Sequence, residues 1–195
     1  MSSRQHTPWQ TRSRTTLIEH RYLTVHQESV QLPSGVCLDD FFVVDMASWV
    51  AVVCLDEERQ LVMVRQYRHG IGRATLELPA GAVESGEPPL AAAQRELREE
   101  TGYEATSWHF LSRFASDPSR QSCVPHFYLA TGARRVGEQQ LDASESIEIV
   151  RLPSEGLLAA VQQGVILHGL HVAALLLAER QGFGPGPASA FSAGE

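Results

Sequence analysis

Cysteine is scarce in this chain, and no stretch has the length and apolarity of a membrane span. Its three cysteines, Cys37, Cys54 and Cys123, form no C-x-x-C pair. This spacing disfavours a disulfide framework or a zinc ribbon and favours a reducing compartment. The longest apolar-rich stretch, Val165 to Ala178, is interrupted by two histidines and a glycine and is too short to cross a bilayer. We therefore expect a soluble, cytoplasmic protein without a membrane partner.

Positive charge is also in deficit. The chain has 16 Lys and Arg against 23 Asp and Glu, a net charge of −7. Proteins that bind nucleic acid in general rely on basic side chains to neutralise phosphates, so we expect no nucleic-acid partner. The acidic excess suits a site that holds cations. A length of 195 residues with 43% apolar content predicts one globular domain, or one domain with a small annex.

The hydrophobic pattern divides the chain into four regions. Both ends lack apolar residues in a packing pattern and are predicted to be flexible. The second region predicts an antiparallel β annex, a hairpin with strands over Leu17–Gln31 and Val36–Asp45 around a Pro-Ser-Gly turn. The third region is the predicted main domain. In order, the four regions are residues 1–16, 17–45, 46–181 and 182–195.

The main domain alternates strand-like and helix-like segments. Trp49–Leu55 is a continuous apolar run, typical of a strand buried on both faces. Pro88–Thr101 predicts a helix that begins at a Pro-Pro pair and stops at Gly102. Helices inserted between strands predict a mixed sheet with helices packed on it. Further predicted strands are Leu61–Tyr67, Ala74–Leu78, Trp108–Ala115, Val124–Ala130 and Ser146–Leu152, and further helices run from Pro153 to Gly164 and from Gly169 to Gln181.

The predicted helix carries three carboxylates on one face. Glu96, Glu99 and Glu100 are spaced i, i+3, i+4, and like charges at this spacing repel. Divalent cations with oxygen ligands would neutralise them, whereas softer metals would prefer His or Cys, which the stretch lacks. In the preceding loop, Gly81 permits close approach of a phosphate or metal to the backbone, and the Ala80 carbonyl could add a ligand.

Arg95 and Glu87 have a structural interpretation. Arg95 stands one residue before the carboxylate face and can pair with Glu87 or Glu99, which would lock the loop to the helix.

These residues together resemble a known motif. The stretch GAVESGEPPLAAAQRELREETGY is similar to the Nudix box, G-x5-E-x7-R-E-U-x-E-E-x-G-U, where U is bulky and aliphatic. One position departs from it, because Tyr103 is aromatic. The resemblance implies a Nudix hydrolase with an α/β/α sandwich around a mixed sheet. It further implies that Mg²⁺ or Mn²⁺ is held by the carboxylate face and the Ala80 carbonyl, with Glu99 and Glu100 catalytic. The matching positions are Gly81, Glu87, Arg95, Glu96, Leu97, Glu99, Glu100 and Gly102.

Three features outside the box resemble the ADP-ribose and nucleotide-sugar pyrophosphatase branch of the family. They are the N-terminal hairpin, the segments Gln66–Arg68 and Leu76–Gly81, and Pro118 beyond the box. This resemblance implies hydrolysis of the pyrophosphate bond of a nucleotide sugar and a homodimer formed through the annex. Arg68, Glu77 and Pro118 become candidate substrate contacts. Arg68 could equally be a surface residue, and Glu77 could simply pair with it.

The segment Glu145–Pro153 resembles the one that follows the mobile catalytic loop of that branch, which implies a late loop at about Gly132 to Ser144. In relatives a glutamate at its end orients or activates the water. Glu145 matches that position best, although it could equally be an ordinary surface residue. Glu148, the second choice, is favoured as a solvent-facing strand residue. Other activities stay open: a pyrophosphatase acting on GDP-mannose, dinucleoside polyphosphates or coenzyme A, or a Nudix module that senses a nucleotide without cleaving it.

Overall fold

The structure, a computed structural model, describes residues 7–183. It separates into two compact units: residues up to Ser48 together with Ala115–Val124, and the remainder from Trp49 onward. We call these the N-terminal unit and the main unit. The predicted flexible ends lie outside the described residues over 1–6 and 184–195. Within the described part, no helix is long and apolar enough to cross a membrane.

The N-terminal unit contains a three-stranded antiparallel sheet in the order β1-β2-β3. The segment 115–124 joins this unit through the backbone, because the Val44 N–H donates to the Arg120 carbonyl at 2.8 Å. Every residue of β1 is exposed, whereas β2 alternates half-buried and buried positions in its second half. The separate antiparallel annex is thus confirmed. Its strands are β1 (Gln10–His20), β2 (Leu23–Gln31) and β3 (Cys37–Met46).

The strand predicted over Leu17–Gln31 is wrong, because the chain reverses at Arg21 and Tyr22. This two-residue turn joins the paired residues His20 and Leu23 and contains no Gly, Pro or Asn to mark it. The prediction of a flexible segment over residues 1–16 is wrong from Gln10 onward. β1 begins at that residue, because its backbone pairs with β2 although its side chains are mostly polar.

The main unit contains an eight-stranded sheet with helices on it. In the sheet β4 and β10 run parallel, and the other pairings described are antiparallel. The strands are β4 (Trp49–Asp56), β5 (Gln60–Arg68), β6 (Arg73–Glu77), β7 (Ala80–Ala82), β8 (Tyr103–Glu104), β9 (Ser107–Arg113), β10 (His126–Arg135) and β11 (Ile147–Pro153), and the helices are α1 (Pro89–Thr101), α2 (Leu157–Gln162) and α3 (Gly169–Ala178).

Strand β4 divides the core into two layers. Ala51, Val53 and Leu55 pack with residues of α2 and α3, whereas Val50 and Val52 pack with Ala92, Ala93 and Leu97 of α1. Because successive side chains of a strand point to opposite faces, a continuous apolar run is the pattern of a strand covered on both sides. The predicted mixed sheet between helices is confirmed.

Several boundaries differ from prediction. β10 continues to Arg135, so the late loop begins at Val136 and not at Gly132. Gly132 instead has a φ of 62° inside the strand, where the pairing with β4 shifts register. A glycine within a strand often marks such a bulge, and the sequence pattern alone did not separate it from a loop start. The short strands β7 and β8 were also missed.

A buried histidine of α3 supports the segment between β6 and β7. His171 is 1% exposed, and its Nδ1 accepts a hydrogen bond from the Leu78 N–H at 3.2 Å. Its ring stacks on His168 at a centroid distance of 3.9 Å, and its Nε2 has no partner among the described residues. Burial, with the nearby charges of His168 and Arg68, holds the pKa of His171 well below its ordinary value.

This environment predicts acid sensitivity of folding. The folded state keeps His171 neutral, while the unfolded chain takes up a proton below about pH 6.5. The free energy of unfolding should therefore fall as the pH drops through that value, by up to about 1.4 kcal/mol per pH unit from this residue. His171→Asn keeps an acceptor for Leu78 and should have a shallower slope in denaturant titrations followed by circular dichroism. His109→Asn, at an exposed ring, is the matched control, and equal slopes in both variants and the wild type would contradict the assignment.

Candidate active site

The helix α1 is bounded by residues suited to its two ends. Pro89 occupies the first helical turn, where its missing N–H removes no helical bond. Gly102 ends the helix with a φ of 71°, and its N–H donates to the Arg98 carbonyl at 2.7 Å. A Cβ at Gly102 would also lie 2.2 Å from the Gly137 carbonyl oxygen. Glycine at 102 therefore allows both the left-handed conformation that ends the helix and the close approach of the late loop.

Arg95 joins the loop to the carboxylate face. Its Nε and Nη2 donate to the two carboxylate oxygens of Glu87, each at 3.0 Å, and Nη2 also donates to the Ala82 carbonyl at 2.9 Å. Its Nη1 donates to Glu96 at 2.8 Å and to Glu99 at 3.0 Å. The hydrogen bonds to Glu87, followed by those to Glu96 and Glu99, raise the pKa of Arg95 above its ordinary value. The structure thus brings together the side chains predicted to lock loop and helix.

Glu100 differs from the other two carboxylates of the face. It is 4% exposed, and its Oε2 accepts a hydrogen bond from the Ala80 N–H at 2.9 Å. Burial, reinforced by the negative charges of Glu96 and Glu145, raises the pKa of Glu100 to about 8. Burial likewise raises the pKa of Glu96. Charge on Glu100, which has no bond to Arg95, is costly without a counter-ion, and this favours a bound cation.

Gly81 and Glu96 share one small space. A Cβ at Gly81 would lie 2.1 Å from Cδ of Glu96 and 2.2 Å from each of its carboxylate oxygens. Only a residue without a side chain leaves the carboxylate in this place. Gly81 belongs to β7, where it pairs with Val50 of β4, so the sheet fixes the position of the backbone beneath Glu96.

Arg68 and Glu77 form a side-on pair. Arg68 donates from Nε to Oε1 at 2.9 Å and from Nη2 to Oε2 at 2.6 Å. The Glu77 side chain is 1% exposed, whereas that of Arg68 is 45% exposed. The hydrogen bond to Glu77 raises the pKa of Arg68. Because the pairing uses Nε and Nη2, the Nη1 amino group is left on the side away from Glu77 and could bind an anion.

The two glutamates weighed for the late loop lie in different surroundings. The negative charge of Glu145 contributes to the raised pKa values of Arg68, Glu96 and Glu100. Glu148 instead pairs with Arg65 at 3.3 Å on the exposed surface of β11. Pro118 belongs to the N-terminal unit, so its part in the site stays a prediction.

The donor set fits a hard divalent cation. It offers three carboxylates and a backbone carbonyl at Ala80, all oxygen ligands. Among the described residues, no three acidic, histidine or cysteine side chains already stand in a metal-binding arrangement. Two of the carboxylates are held by Arg95 and the third by the Ala80 N–H, so a cation would replace some of these bonds.

Sequence analysis missed two residues that support the site. Gln139 donates to the Glu100 carbonyl, and His171 accepts from Leu78 within the segment leading to Ala80. Gln139 lies in the predicted late loop, but no local pattern links it to α1. His171 lies in the helix predicted from Gly169 to Gln181, and its bond to Leu78 spans 93 positions of the chain.

Comparison with known families supports the motif. Residues 46–169 match the NUDIX domain, and residues 9–44 match the nucleoside diphosphate sugar hydrolase N-terminal domain. The first match covers more than half of the chain. The chain belongs to the Nudix family and is a Nudix hydrolase. The resemblance read from Gly81 to Tyr103 is confirmed, and divalent-metal dependence is general among these enzymes.

Individual relatives are similar to this chain over most of its length. The Nudix hydrolase is 34% identical over 170 residues to an ADP-ribose pyrophosphatase of Mycobacterium tuberculosis, covering 86% of this chain and 82% of the relative. It is 33% identical over 144 residues to a methanol dehydrogenase activator of Bacillus methanolicus, covering 73% and 77%. A crystal structure of an ADP compounds hydrolase shares the fold with a TM-score of 0.78 at 23% identity, covering 91% of this chain and 96% of the other.

The contact between Gly81 and Glu96 predicts a metal-specific defect. Gly81→Ala should displace the Glu96 carboxylate and weaken Mn²⁺ binding by roughly 10- to 100-fold, as when a metal ligand loses its support. The fold should persist, because the displaced atoms are the end of a flexible side chain. Electron paramagnetic resonance titration with Mn²⁺ measures the affinity, and thermal denaturation checks the fold. Gly169→Ala, where a Cβ meets nothing within 4 Å, is the control. Unchanged Mn²⁺ affinity in Gly81→Ala would show that Glu96 does not need this space.

Proposed function

We propose that this Nudix hydrolase cleaves the pyrophosphate bond of ADP-ribose or a related nucleoside diphosphate sugar, giving a nucleoside monophosphate and a sugar phosphate. The observation that carries the proposal is a complete carboxylate face on α1 in a chain whose residues 9–44 match a nucleoside diphosphate sugar hydrolase domain. The similarity to an ADP-ribose pyrophosphatase supports the choice of substrate. The scarcity of cysteine supports a cytoplasmic location.

The carboxylate face is the proposed metal site. Glu96, Glu99, Glu100 and the Ala80 carbonyl would hold Mg²⁺ or Mn²⁺. When bound, the cation would stabilise negative charge on the pyrophosphate oxygens and lower the pKa of bound water. Arg95, bonded to Glu87, Glu96 and Glu99, would hold the loop against the helix.

The remaining side chains have proposed roles in binding and proton transfer. Arg68, oriented by the buried Glu77, would bind a phosphate oxygen through its Nη1 group. The Glu145 carboxylate would accept the proton of the attacking water. Pro118 is a further proposed substrate contact.

Substrate profiling with a carboxylate variant tests this function. In Mg²⁺, wild-type protein should release phosphatase-sensitive products from ADP-ribose faster than from GDP-mannose, dinucleoside polyphosphates or coenzyme A. Glu100→Gln keeps the size of the side chain and removes its charge, and should lower kcat by at least ~100-fold. Excess EDTA should abolish wild-type turnover.

Glu104→Gln is the matched control, because Glu104 pairs with Arg98 at the exposed side of α1. If another substrate in the panel is preferred, the proposed substrate class is wrong, but the proposed pyrophosphate hydrolysis is retained. Tight nucleotide binding without turnover would indicate a sensing module, and full activity in EDTA would contradict the metal site.

The assignment of Glu145 predicts a kinetic split. Glu145→Gln should lower kcat by ~100-fold or more with little change in KM, because proton transfer is needed only in the transition state. Glu148→Gln removes an equivalent charge three positions later, at a surface ion pair, and should behave as wild type. If Glu148→Gln is the impaired variant, the roles of the two residues are exchanged.

A homodimer formed through the N-terminal unit is also part of the proposal. β1 pairs with β2 on one side, and no second pairing is described for it within residues 7–183. Its apolar residues Leu17 and Ile18 are about half exposed, as is Trp9 beside it. An exposed strand edge with apolar side chains is usually covered, and a second copy of the sheet offers the matching surface.

Sedimentation at micromolar concentration should therefore give roughly twice the chain mass of 21.4 kDa. Ile18→Lys places a charge on the proposed interface and should shift the protein toward the monomer. Leu158→Lys, at an exposed apolar position of α2 in the main unit, is the control. A wild-type monomer under these conditions would exclude the dimer.

A further inference from the structure

The late loop, residues 136–146, lies against the end of α1. The N–H groups of Val136 and Gly137 donate to the Gly102 carbonyl at 2.8 and 3.3 Å, and the Gln140 N–H donates to the Glu99 carbonyl at 2.8 Å. The last carbonyls of a helix have no partners within the helix. The loop supplies donors to them and is thereby docked on the turn that carries Glu99 and Glu100.

One side chain extends this docking to the next strand. Nε2 of Gln139 donates to the Glu100 carbonyl at 2.7 Å and to the Ile147 carbonyl at 3.2 Å. Both partners are carbonyl oxygens, so the amide nitrogen with its two hydrogens is the group that matches them. Ile147 is the first residue of β11 and lies two positions after Glu145. Gln139 therefore bridges the backbone of a carboxylate residue and the backbone beside the loop glutamate.

Glu145 itself is positioned by the loop. Its Oε2 accepts from the Asp142 N–H at 3.0 Å, and its own N–H donates to the Asp142 carbonyl at 2.9 Å. Residues 142–146 are exposed, so packing does not fix them. Among the described side chains of the late loop, Gln139 is the one that donates hydrogen bonds to residues outside it.

We propose that Gln139 is a positioning residue, whose amide sets the place of Glu145 relative to the carboxylates of α1. The inference rests on the proposed role of Glu145 in activating water. Without the bridge, the loop keeps its backbone contacts at one end, but the segment that carries Glu145 is released from the end of α1. A displacement of about 1 Å in a reacting group can cost ~100-fold in rate.

Two substitutions at Gln139 have a matched control at Gln140. Gln139→Met keeps the chain length without donors, and Gln139→Glu opposes two carbonyls with a carboxylate at the negative end of a helix. Gln140 contacts α1 through its backbone, and its side chain is exposed, so Gln140→Met removes an amide while keeping the bond to Glu99. On ADP-ribose with Mg²⁺, both Gln139 variants should lose ~10- to ~100-fold in kcat at nearly constant KM, and Gln140→Met should match the wild type.

Two further readouts separate positioning from general damage. Mn²⁺ affinity should change by less than ~2-fold in Gln139→Met, because the carboxylates stay in place, whereas amide hydrogen exchange at residues 145–147 should accelerate. A double-mutant cycle decides the route: in the Glu145→Gln background, Gln139→Met should cause little additional loss of kcat. Independent, multiplying losses would overturn the proposal.

Failure of the inference can be distinguished from failure of the proposed function. A Gln139→Met variant with wild-type kcat and wild-type exchange overturns the positioning role, whatever Glu145 does. If Glu145→Gln is fully active while Gln139→Met is impaired, Gln139 acts by another route and the inference also fails. If no nucleotide sugar is cleaved by the wild type, the proposed function fails, and unchanged exchange at residues 145–147 would then overturn the bridge as well.

Discussion

The hydrogen bonds made by the guanidinium of Arg95 are the interaction on which the rest of the site depends. A helix that stacks Glu96, Glu99 and Glu100 on one face is electrostatically unfavourable unless positive charge lies beside them. Arg95 provides that charge while it holds the loop through Glu87 and Ala82, with bonds from Nε, Nη1 and Nη2. A lysine has a single compact donor group and could not reach these partners together. The charged side chain of Arg95 therefore both fixes the conformation of the loop and offsets the negative charge of the helix.

Arg95 alone does not balance the negative charge of the carboxylate face. Arg95 is bonded to three carboxylates, and Glu100 lies apart from it, buried against the Ala80 N–H. The face as a whole remains acidic, and part of it is shielded from water. Such a site favours binding of a small cation that prefers oxygen ligands. Unlike a further basic side chain, the ion can bind and dissociate, and the bonds of Arg95 hold the loop to the helix in both states.

The sequence predicted the parts of the molecule that depend on local spacing. The face of Glu96, Glu99 and Glu100 follows from helical periodicity, and the end of α1 follows from Gly102. The strand Trp49–Leu55 could be predicted to be buried on both faces because its apolar run is uninterrupted. The turn at Arg21 and Tyr22 was missed because it lacks the usual turn residues, and Gly132 was misread because a bulge and a loop start look alike in sequence.

The contacts that could not be predicted are those between distant segments. Gln139 and Glu100 are 39 positions apart, and periodicity reports which side of a strand or helix is buried but not which residue it meets. Prediction from sequence is weakest for the late loop, because its residues are exposed and the proposed base, Glu145, is one of them. A residue that must approach a substrate gains from an exposed loop, but proton transfer needs a fixed distance. A hydrogen-bonded bridge at the edge of the loop, to the backbone and not to the carboxylates themselves, meets both requirements. It restrains the position of Glu145 and makes no bond to the carboxylates of the proposed metal site.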